Sequence, residues 1–510
     1  MNLMHFFDVD NLPPIRLFRH ICRHFEQEHT QITAIGECVL VTYSFALKNR
    51  ISVHVLASKI YCSTREFHIK KRVNKIFCSK NLWNRNVFSY FCSRNNRAKK
   101  CNMVSLIVKH FGPIVNAEGF PVDVHKVTAF CGSQGTGKST IVKLISEFTW
   151  IEKALTRGDF LTSEVTGYDR FRKKYCAYHN IHNYFHDDTY IRYKGEKYIF
   201  EYKDKHLTIE QYNGHDYLRP QVMYIPAERN FMVAVEDAEK IKQLPSALST
   251  MIGDYGKALR SSNGNIVLPV AGYHVQYDRL NKLTWLVGNG FKVRVQEAAS
   301  GFQSLIPLIV VSQYLISEIL TKDDSKNNRS SDSTEERDRI QKTIQKILQD
   351  KSLDDSMRRA LILEMNANMR NQRFVNIVEE PEQNLFPTSQ SDVLFKLLEI
   401  NNTIVANSLI LTTHSPYIIN YLSLAIKAHN LLNRPNGQKY KEDIDKVVPL
   451  LSCVASQDVA VYEIAADGNI HLLPQMDGMP SDANYLNTAL DDVNTLFDAL
   501  LDIEDRLNND

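Results

Sequence analysis

The feature that most constrains this chain is a short stretch of glycines closed by a lysine and a serine, Gly132-Ser133-Gln134-Gly135-Thr136-Gly137-Lys138-Ser139. Its spacing, G-x-x-x-x-G-K-S, lets the backbone form a nest whose N–H groups point inward at an anion. The apolar run 127–130 before it predicts a buried strand, and the amphipathic run from Thr140 onward predicts a helix. A glycine turn without a ligand is the alternative, but this strand–loop–helix context favours a Walker A phosphate-binding loop.

Two side chains of this loop have expected roles. We expect Lys138 to reach the β- and γ-phosphates of a nucleotide, and the Ser139 hydroxyl to be a ligand of Mg²⁺. The positive N-terminal end of the following helix, with Thr140 in its first turn, would add to phosphate binding. The sequence therefore predicts a nucleotide-binding protein.

Two further apolar runs end in polar side chains. Phe374-Val375-Asn376-Ile377-Val378 is followed by Glu379 and Glu380, as in a buried strand that delivers acids to its C-terminal tip. We expect Glu379 to hold Mg²⁺, directly or through water, and Glu380 to polarise the attacking water. A second run, 409–413, ends at His414, which we interpret as a sensor of the γ-phosphate.

Between the phosphate loop and the acids, Ser300 and Gly301 precede the apolar helix predicted over 305–311. A serine and a glycine at a helix start leave free N–H groups that can bind a second anion. An ordinary Ser-Gly N-cap gives the same pattern, so both interpretations stay open at this point.

The order of these motifs resembles that of the ABC-type ATPase superfamily, in its soluble branch of Rad50/RecF/SMC proteins and OLD-like ATPases of bacterial defence systems. The resemblance covers about residues 103–420. Glu379-Glu380-Pro381-Glu382 followed by 384–387 looks like the Walker B motif and D-loop of the OLD-like branch, and 224–230 looks like another of its motifs. The signature at 299–303 lacks the leading leucine and second glycine of transporter ATPases. The nearest resemblance is to the PtuA ATPases of Septu-type antiphage systems.

This resemblance implies an α/β fold with a mixed core sheet, flanking helices, an antiparallel β arm and a helical insertion. It implies ATP and Mg²⁺ as cofactors, sandwiched between two heads of a homodimer or larger homo-oligomer. Ser300 and Gly301 would then act in trans on ATP held by Lys138 of the other protomer. Glu380 would be the catalytic carboxylate, and His414 would contact the γ-phosphate.

The resemblance also implies partners. PtuA-type ATPases work beside an HNH-type nuclease, and some retrons carry this pair together with a reverse transcriptase and its DNA–RNA. We therefore expect the ATPase component of an antiviral defence system that controls a partner nuclease. The alternative is a RecF/Rad50-like DNA-repair ATPase that binds DNA itself, although the near-neutral charge of residues 103–510 argues against broad duplex binding.

Composition favours a cytoplasmic protein that does not span a membrane. The apolar runs fall short of the roughly 18 residues that a membrane span needs, and the N-terminus has no secretory signal pattern. The nine cysteines include no C-x-x-C pair, which is typical of reduced thiols without a zinc ribbon.

Residues 1–102 form an atypical basic, cysteine-rich segment. They hold 17 Lys/Arg against 6 Asp/Glu and six of the nine cysteines, whereas 103–510 holds 44 Lys/Arg against 52 Asp/Glu. Because a predicted first strand opens at Met103, we favour Met103 as the natural start, with 1–102 as upstream sequence read as protein. The alternative is a basic extension that binds nucleic acid through clusters such as 70–72 and 97–100.

Three additions to the head are predicted: a β arm at about 158–222 with a turn at 194–196, a loop–helix insertion at about 318–371, and a C-terminal part, 421–510. The insertion is expected to pack on the head or to offer a docking surface. The C-terminal part is predicted to contain a hairpin around Asp467-Gly468 and a final helix with an apolar stripe. Asp443 and Asp445 have the spacing of a TOPRIM nuclease motif but follow no buried strand, so we expect no nuclease domain.

Two further expectations concern single side chains. Arg229 follows a predicted strand end and is expected either to couple nucleotide state to the arm or to form a surface salt bridge. His179, His182 and His186 have a spacing that could ligand a metal ion, but their polar neighbours favour a surface.

Overall fold

A computed structural model of the chain describes residues 104–509, apart from 213–216, 236–237, 263, 271, 289, 322–356 and 358–369. The expectations for 1–102 and for a start at Met103 lie outside the described residues, as does most of the insertion predicted at about 318–371.

The strands are β1 (Val104–Phe111), β2 (Val122–Val124), β3 (Val127–Cys131), β4 (Phe185–Lys194), β5 (Tyr198–Lys203), β6 (His206–Gln211), β7 (Pro220–Ile225), β8 (Asn265–Val267), β9 (Tyr273–Asp278), β10 (Leu283–Gly288), β11 (Phe291–Arg294), β12 (Arg373–Glu379), β13 (Ser408–Thr412), β14 (Val459–Ile464), β15 (Ile470–Leu472), β16 (Gln475–Met476) and β17 (Met479–Pro480). The α-helices are α1 (Lys138–Arg157), α2 (Thr162–Thr166), α3 (Cys176–Tyr178), α4 (Phe231–Ala234), α5 (Ser246–Ser261), α6 (Ser300–Thr321), α7 (Pro387–Asn402), α8 (Pro416–Leu432), α9 (Lys441–Val447) and α10 (Tyr485–Asn509).

A six-stranded mixed sheet in the order β15-β14-β3-β13-β12-β7 forms the core. Its strands from β14 to β7 pair in parallel, and β15 is antiparallel at one edge. All five residues of β3 are buried, as expected for a parallel strand covered on both faces. The predicted α/β fold with a mixed core sheet and flanking helices is confirmed, and the apolar runs before the phosphate loop, the acids and His414 are all strands of this sheet.

Different layers cover the two faces of the core sheet. Because side chains alternate along a strand, Ala129 of β3 packs into one apolar cluster and Phe130 into the other. The Phe130 side is covered by α1 and by a five-stranded antiparallel sheet, β2-β1-β4-β5-β6. The Ala129 side is covered by α5 to α8 and by a four-stranded antiparallel sheet, β11-β10-β9-β8. No pattern identified in the sequence predicts this four-stranded sheet.

The strands of the predicted β arm occupy a smaller range than 158–222. β4 and β5 meet at a turn that begins with Lys194, as predicted, and β6 ends at Gln211. Residues 162–178 form short helical segments instead, and β7, which begins at Pro220, belongs to the core sheet.

At the C-terminal end, β14 and β15 pair antiparallel around the turn at Asp467-Gly468. The final helix α10 contacts the head through Leu486, which is buried. Farther along, Phe497 and Leu500 of its apolar stripe are exposed.

Among the described helices, α6 is long and apolar enough to cross a membrane by length and composition alone. Most of its apolar side chains, from Leu305 to Val311, are buried inside the head. Its apolar character is therefore accounted for by packing against the core sheet.

A buried carboxylate connects α1 to the five-stranded antiparallel sheet. Glu152 of α1 is 1% exposed, and its Oε1 accepts hydrogen bonds from the backbone N–H groups of Lys197, at 2.7 Å, and Tyr198, at 3.1 Å. Burial raises the pKa of Glu152 to about 7. The folded protein therefore binds this proton more tightly than the unfolded chain does.

We predict that Glu152→Gln flattens the pH dependence of stability. With the folded-state pKa raised from 4.5 to about 7, the stabilisation is complete below about pH 4.5 and is lost as the pH rises through about 7. The wild-type protein should lose on the order of 3 kcal/mol of unfolding free energy from this group. Gln keeps the Oε1 acceptor but does not titrate. The test is to measure the midpoint of denaturant unfolding from pH 5 to 8 for the wild type and for Glu152→Gln. Asp187→Asn, at an exposed position, is the control. If the midpoint changes with pH in the same way in Glu152→Gln and in the wild type, the prediction is refuted.

Candidate nucleotide-binding site

The phosphate loop connects β3 to α1, and two of its glycines are required by their surroundings. Gly132 has φ 139°, and a Cβ there would lie 2.3 Å from the carbonyl oxygen of Ile464. Gly137 has φ 106°, and a Cβ there would lie 2.4 Å from Cδ1 of Ile114. A side chain at either position would meet both a left-handed backbone and a neighbouring atom. The glycine spacing is therefore part of the shape of the loop.

The Lys138 side chain lies inside the loop. It is 4% exposed, and its Nζ donates to the carbonyl oxygens of Gly132, at 3.0 Å, and Ser133, at 2.6 Å. Burial lowers its pKa to about 8, although the charges of Glu380, Glu382 and Glu379 act in the opposite direction. These carboxylates are thus close enough to interact electrostatically with Lys138, which is still charged at neutral pH.

Glu379 ends β12 and is 4% exposed. Its Oε2 accepts a hydrogen bond from the backbone N–H of Ala227 at 3.3 Å, while its Oε1 is buried without a hydrogen-bond partner. An unpartnered buried carboxylate oxygen costs free energy unless it binds a donor or a cation. Since Mg²⁺ sites in phosphate-binding proteins use one or two carboxylates plus phosphate and water, this donor set, with the Ser139 hydroxyl, fits Mg²⁺.

Glu380 follows in a left-handed conformation, φ 44°, which is rare for a residue with a side chain. Its N–H donates to the carbonyl of Thr412 at 3.0 Å, so the turn is fixed to the end of β13. Its Oε1 lies 3.4 Å from Nε2 of His414. The hydrogen bond from His414 is the main reason that the pKa of Glu380 is lowered, despite opposing desolvation. Glu380 is therefore an ionised, partly exposed carboxylate at neutral pH, as a group that polarises water must be.

Glu382 is a site residue to which the sequence analysis gave no role. Its Oε1 accepts hydrogen bonds from Thr413 Oγ1 and from the backbone N–H of His414, both at 2.8 Å. It therefore orients the loop that carries His414. The signal was present in the Glu-Glu-Pro-Glu motif, but the sequence could not show which acid faces which strand end.

Arg229 is fully buried, so the expectation of a surface salt bridge is wrong. It lies in the 3₁₀ turn Ala227–Asn230 after β7, beside β12 in the core sheet. Its guanidinium donates to backbone carbonyl oxygens around the catalytic candidates, including that of Glu379 at 2.7 Å.

Ser300 and Gly301 begin α6, as predicted. A Cβ on Gly301 would lie 2.7 Å from the carbonyl oxygen of Asn384, so the helix start packs closely on the turn that follows the acids. The structure thus brings the phosphate loop, Glu379, Glu380 and His414 to one edge of the sheet. Gly301 lies against the Asn384 turn of the same chain, and Ser300 beside it is exposed.

His179, His182 and His186 do not come together as a metal site. His179 is buried, with Nε2 3.8 Å from Glu147 Oε2, and burial lowers its pKa to about 3. His186 lies on β4, where its ring contacts the carbonyl of Gly112. Within the described part of the chain, no group of three or more His, Cys, Asp or Glu side chains is placed to hold a metal ion. The polar-surface interpretation is wrong for His179.

No protein-family model matches the chain, and no curated protein matches it significantly in sequence. Among solved structures, it is similar to an SMC head domain from Thermotoga maritima, with TM-score 0.30 and 11% identity over 73% of this chain and 98% of that one. RecF, a recombination mediator protein of the RecFOR pathway, gives TM-score 0.25 and 12% identity over 73% and 99%. A nucleotide-free ATP-binding cassette from an ABC transporter gives 0.23 and 12% over 74% and 92%. With TM-scores this low, the function must be argued from the site itself.

We predict that Lys138→Met lowers ATP affinity by about 10- to 100-fold, because it removes charge-assisted hydrogen bonds to phosphate while keeping the length of the side chain. Lys143→Met, later on the same helix, is the matched control and should bind ATP normally. Affinity of the wild type should also fall as the pH rises through about 8, where Lys138 loses its proton. Calorimetric titration between pH 7 and 9 measures both effects; a wild-type affinity that does not change with pH would contradict the second.

Proposed function

We propose that this chain is an ABC-type, Mg²⁺-dependent ATPase. The observation that carries the proposal is the meeting of the phosphate loop, the Glu379–Glu380 turn and His414 at one edge of the core sheet, with Glu380 and His414 3.4 Å apart. Each group suits phosphoryl transfer to water, in which positioning and charge stabilisation supply most of the catalysis.

The position of each group supports a proposed role. Lys138 and the backbone N–H groups of the loop bind the phosphates, and Glu379 with Ser139 would hold Mg²⁺, which would neutralise phosphate charge. Glu380, kept ionised by His414, orients the water that attacks the γ-phosphorus as ADP leaves. The His414 ring, which is 34% exposed, is available to contact the γ-phosphate.

The proposed active form is a homodimer or larger homo-oligomer with ATP sandwiched between two heads. Ser300 and Gly301 would complete the site of the other protomer in trans. Support comes from Ser300, which is exposed at the first position of α6, where backbone N–H groups lack partners within the helix and can bind an anion. A single protomer would then bind ATP and hydrolyse it slowly.

In the cell we propose a cytoplasmic antiviral role in which this ATPase controls a partner effector nuclease, of the HNH type found beside PtuA-like ATPases. A retron reverse transcriptase with its DNA–RNA is a further proposed partner. Asp443 and Asp445, the pair with the spacing of a TOPRIM motif, lie on the short helix α9 and not at strand tips. A TOPRIM site needs acids at strand tips, so this pair does not form one.

The second candidate is a DNA-repair ATPase that binds DNA directly, like RecF. The proposed ATP site would serve this function equally, and only the motif resemblance to PtuA-type proteins separates the two. The distinction therefore depends on partners rather than on the ATP site.

We predict that Glu380→Gln retains ATP binding and lowers the turnover number by at least about 100-fold, because Gln cannot accept the proton of the attacking water. The same variant should accumulate an ATP-bound oligomer. Single-turnover assays and size measurement with Mg²⁺ and ATP test this. Glu399→Gln, on helix α7 and paired with Lys396, is the control and should match the wild type. Full turnover in Glu380→Gln would remove Glu380 from the mechanism.

We predict that the Glu380→Gln protein, expressed with its genomic neighbours, retains a nuclease subunit through purification in ATP and Mg²⁺. Lys138→Met is the matched control and should lose any ATP-dependent part of this association. An ATP-dependent dimer that binds duplex DNA by itself and recovers no nuclease subunit would support the DNA-repair function instead.

A further inference from the structure

Among the residues that the structure describes, Arg229 is the largest fully buried side chain, at 0% exposure. Its hydrogen bonds go to backbone carbonyl oxygens of three separate segments. Nη1 donates to Glu379, at 2.7 Å, and to Pro226, at 3.3 Å; Nη2 donates to Glu380, at 2.6 Å. Nε donates to Ser304 of helix α6, at 3.0 Å. One guanidinium therefore joins the turn after β7, the tip of β12 and the first turns of α6.

Burying this charge is costly, and a packed apolar side chain would often stabilise a core equally well. Burial lowers the pKa of Arg229 only to about 10, so the group is charged at neutral pH. Its partners are carbonyl oxygens, which require a cation or N–H donors to be satisfied in the interior. Arg229 therefore holds the turn after β7, the tip of β12 and the start of α6 in a fixed arrangement.

Helix α6 and the acidic turn touch at a second point. Asn384 Nδ2 donates to Ser304 Oγ at 3.2 Å, and Ser304 is 1% exposed. Ser304 lies one helical turn after Ser300, and Gly301 packs on the carbonyl of Asn384. The start of α6 is thus fixed to both sides of the turn that carries Glu380.

We propose that Arg229 is a positioning residue that transmits the position of the α6 start, where Ser300 and Gly301 would meet nucleotide, to the Glu379–Glu380 turn. This inference rests on the proposed function. Because Arg229 holds the carbonyl of Glu380 and the carbonyl of Ser304 with the same planar group, a shift of α6 moves the backbone that aims the Glu380 carboxylate. Hydrolysis in one site is thereby linked to engagement of the α6 end by the other protomer.

Only arginine suits this role. Its planar fork offers five donors in fixed directions, whereas a lysine ammonium is a point charge on a flexible stem. Arg229→Lys therefore keeps the buried charge but cannot bridge the tip of β12 and α6 in one rigid arrangement. This variant therefore tests whether the arrangement of the donors, and not the charge alone, is required.

The test compares Arg229→Lys with Arg373→Lys in the full chain. Arg373 is the first residue of β12, the strand that ends at Glu379. Its side chain is 11% exposed and pairs with Glu196 Oε1 at 2.6 Å. At the rise of an extended strand, Arg373 lies about 20 Å from the tip of β12. For Arg229→Lys we expect the turnover number to fall about 10- to 100-fold with the ATP dissociation constant within about threefold of wild type. The control should lose as much thermal stability and keep its turnover within about twofold.

Ser304→Ala removes the Asn384 contact without touching a charge, and it keeps the proposal testable if Arg229→Lys folds poorly. We expect a fall in turnover of about threefold or more, unchanged ATP affinity, and non-additivity with Arg229→Lys. Turnover near wild type in both variants, or a loss of turnover matched by loss of ATP binding and of stability, would overturn the inference. A wild-type protein that binds ATP without hydrolysing it would instead overturn the proposed function, and this inference with it.

Discussion

Parallel pairing of β13 with β3 on one side and with β12 on the other brings three strand ends to one edge of the core sheet. In this register Thr412 lies beside Phe130 and beside Glu379. The phosphate loop, the acids and His414 begin just beyond those positions. Because both faces of the sheet are buried, a slip of one residue would reverse the packing of a whole strand, and the register is fixed accordingly.

The arrangement of the candidate site at this edge depends on backbone conformation as much as on side chains. The glycines of the loop and the left-handed Glu380 adopt conformations that most residues avoid, and neighbouring segments hold them there. Arg229 is the main such contact at the acidic turn, since it satisfies carbonyl oxygens of Glu379 and Glu380 from inside the protein. A strained turn of this kind is stable only when its surroundings determine it fully.

At this edge of the sheet, the surroundings of Lys138 and Glu380 determine the charge of each side chain. Burial lowers the pKa of Lys138, whereas the contact with His414 lowers that of Glu380. Around neutral pH both groups are charged, Lys138 positively and Glu380 negatively. Pairs of groups whose surroundings set their ionisation in this way are typical of sites that perform acid–base chemistry.

Local patterns predicted much of this arrangement. The strand before the loop, the helix after it, the two strands that end in Glu379 and near His414, and the start of α6 at Ser300 were all readable, because glycine spacing, apolar runs and helix starts are short-range signals. The four-stranded sheet, the burial of His179, and the roles of Arg229 and Glu382 were not, since they depend on contacts between segments far apart in the chain. The sequence by itself determined which residues are candidates for binding phosphate and activating water. Only the tertiary structure decided which of them meet, because strand order and register, and not distance along the chain, bring their side chains together.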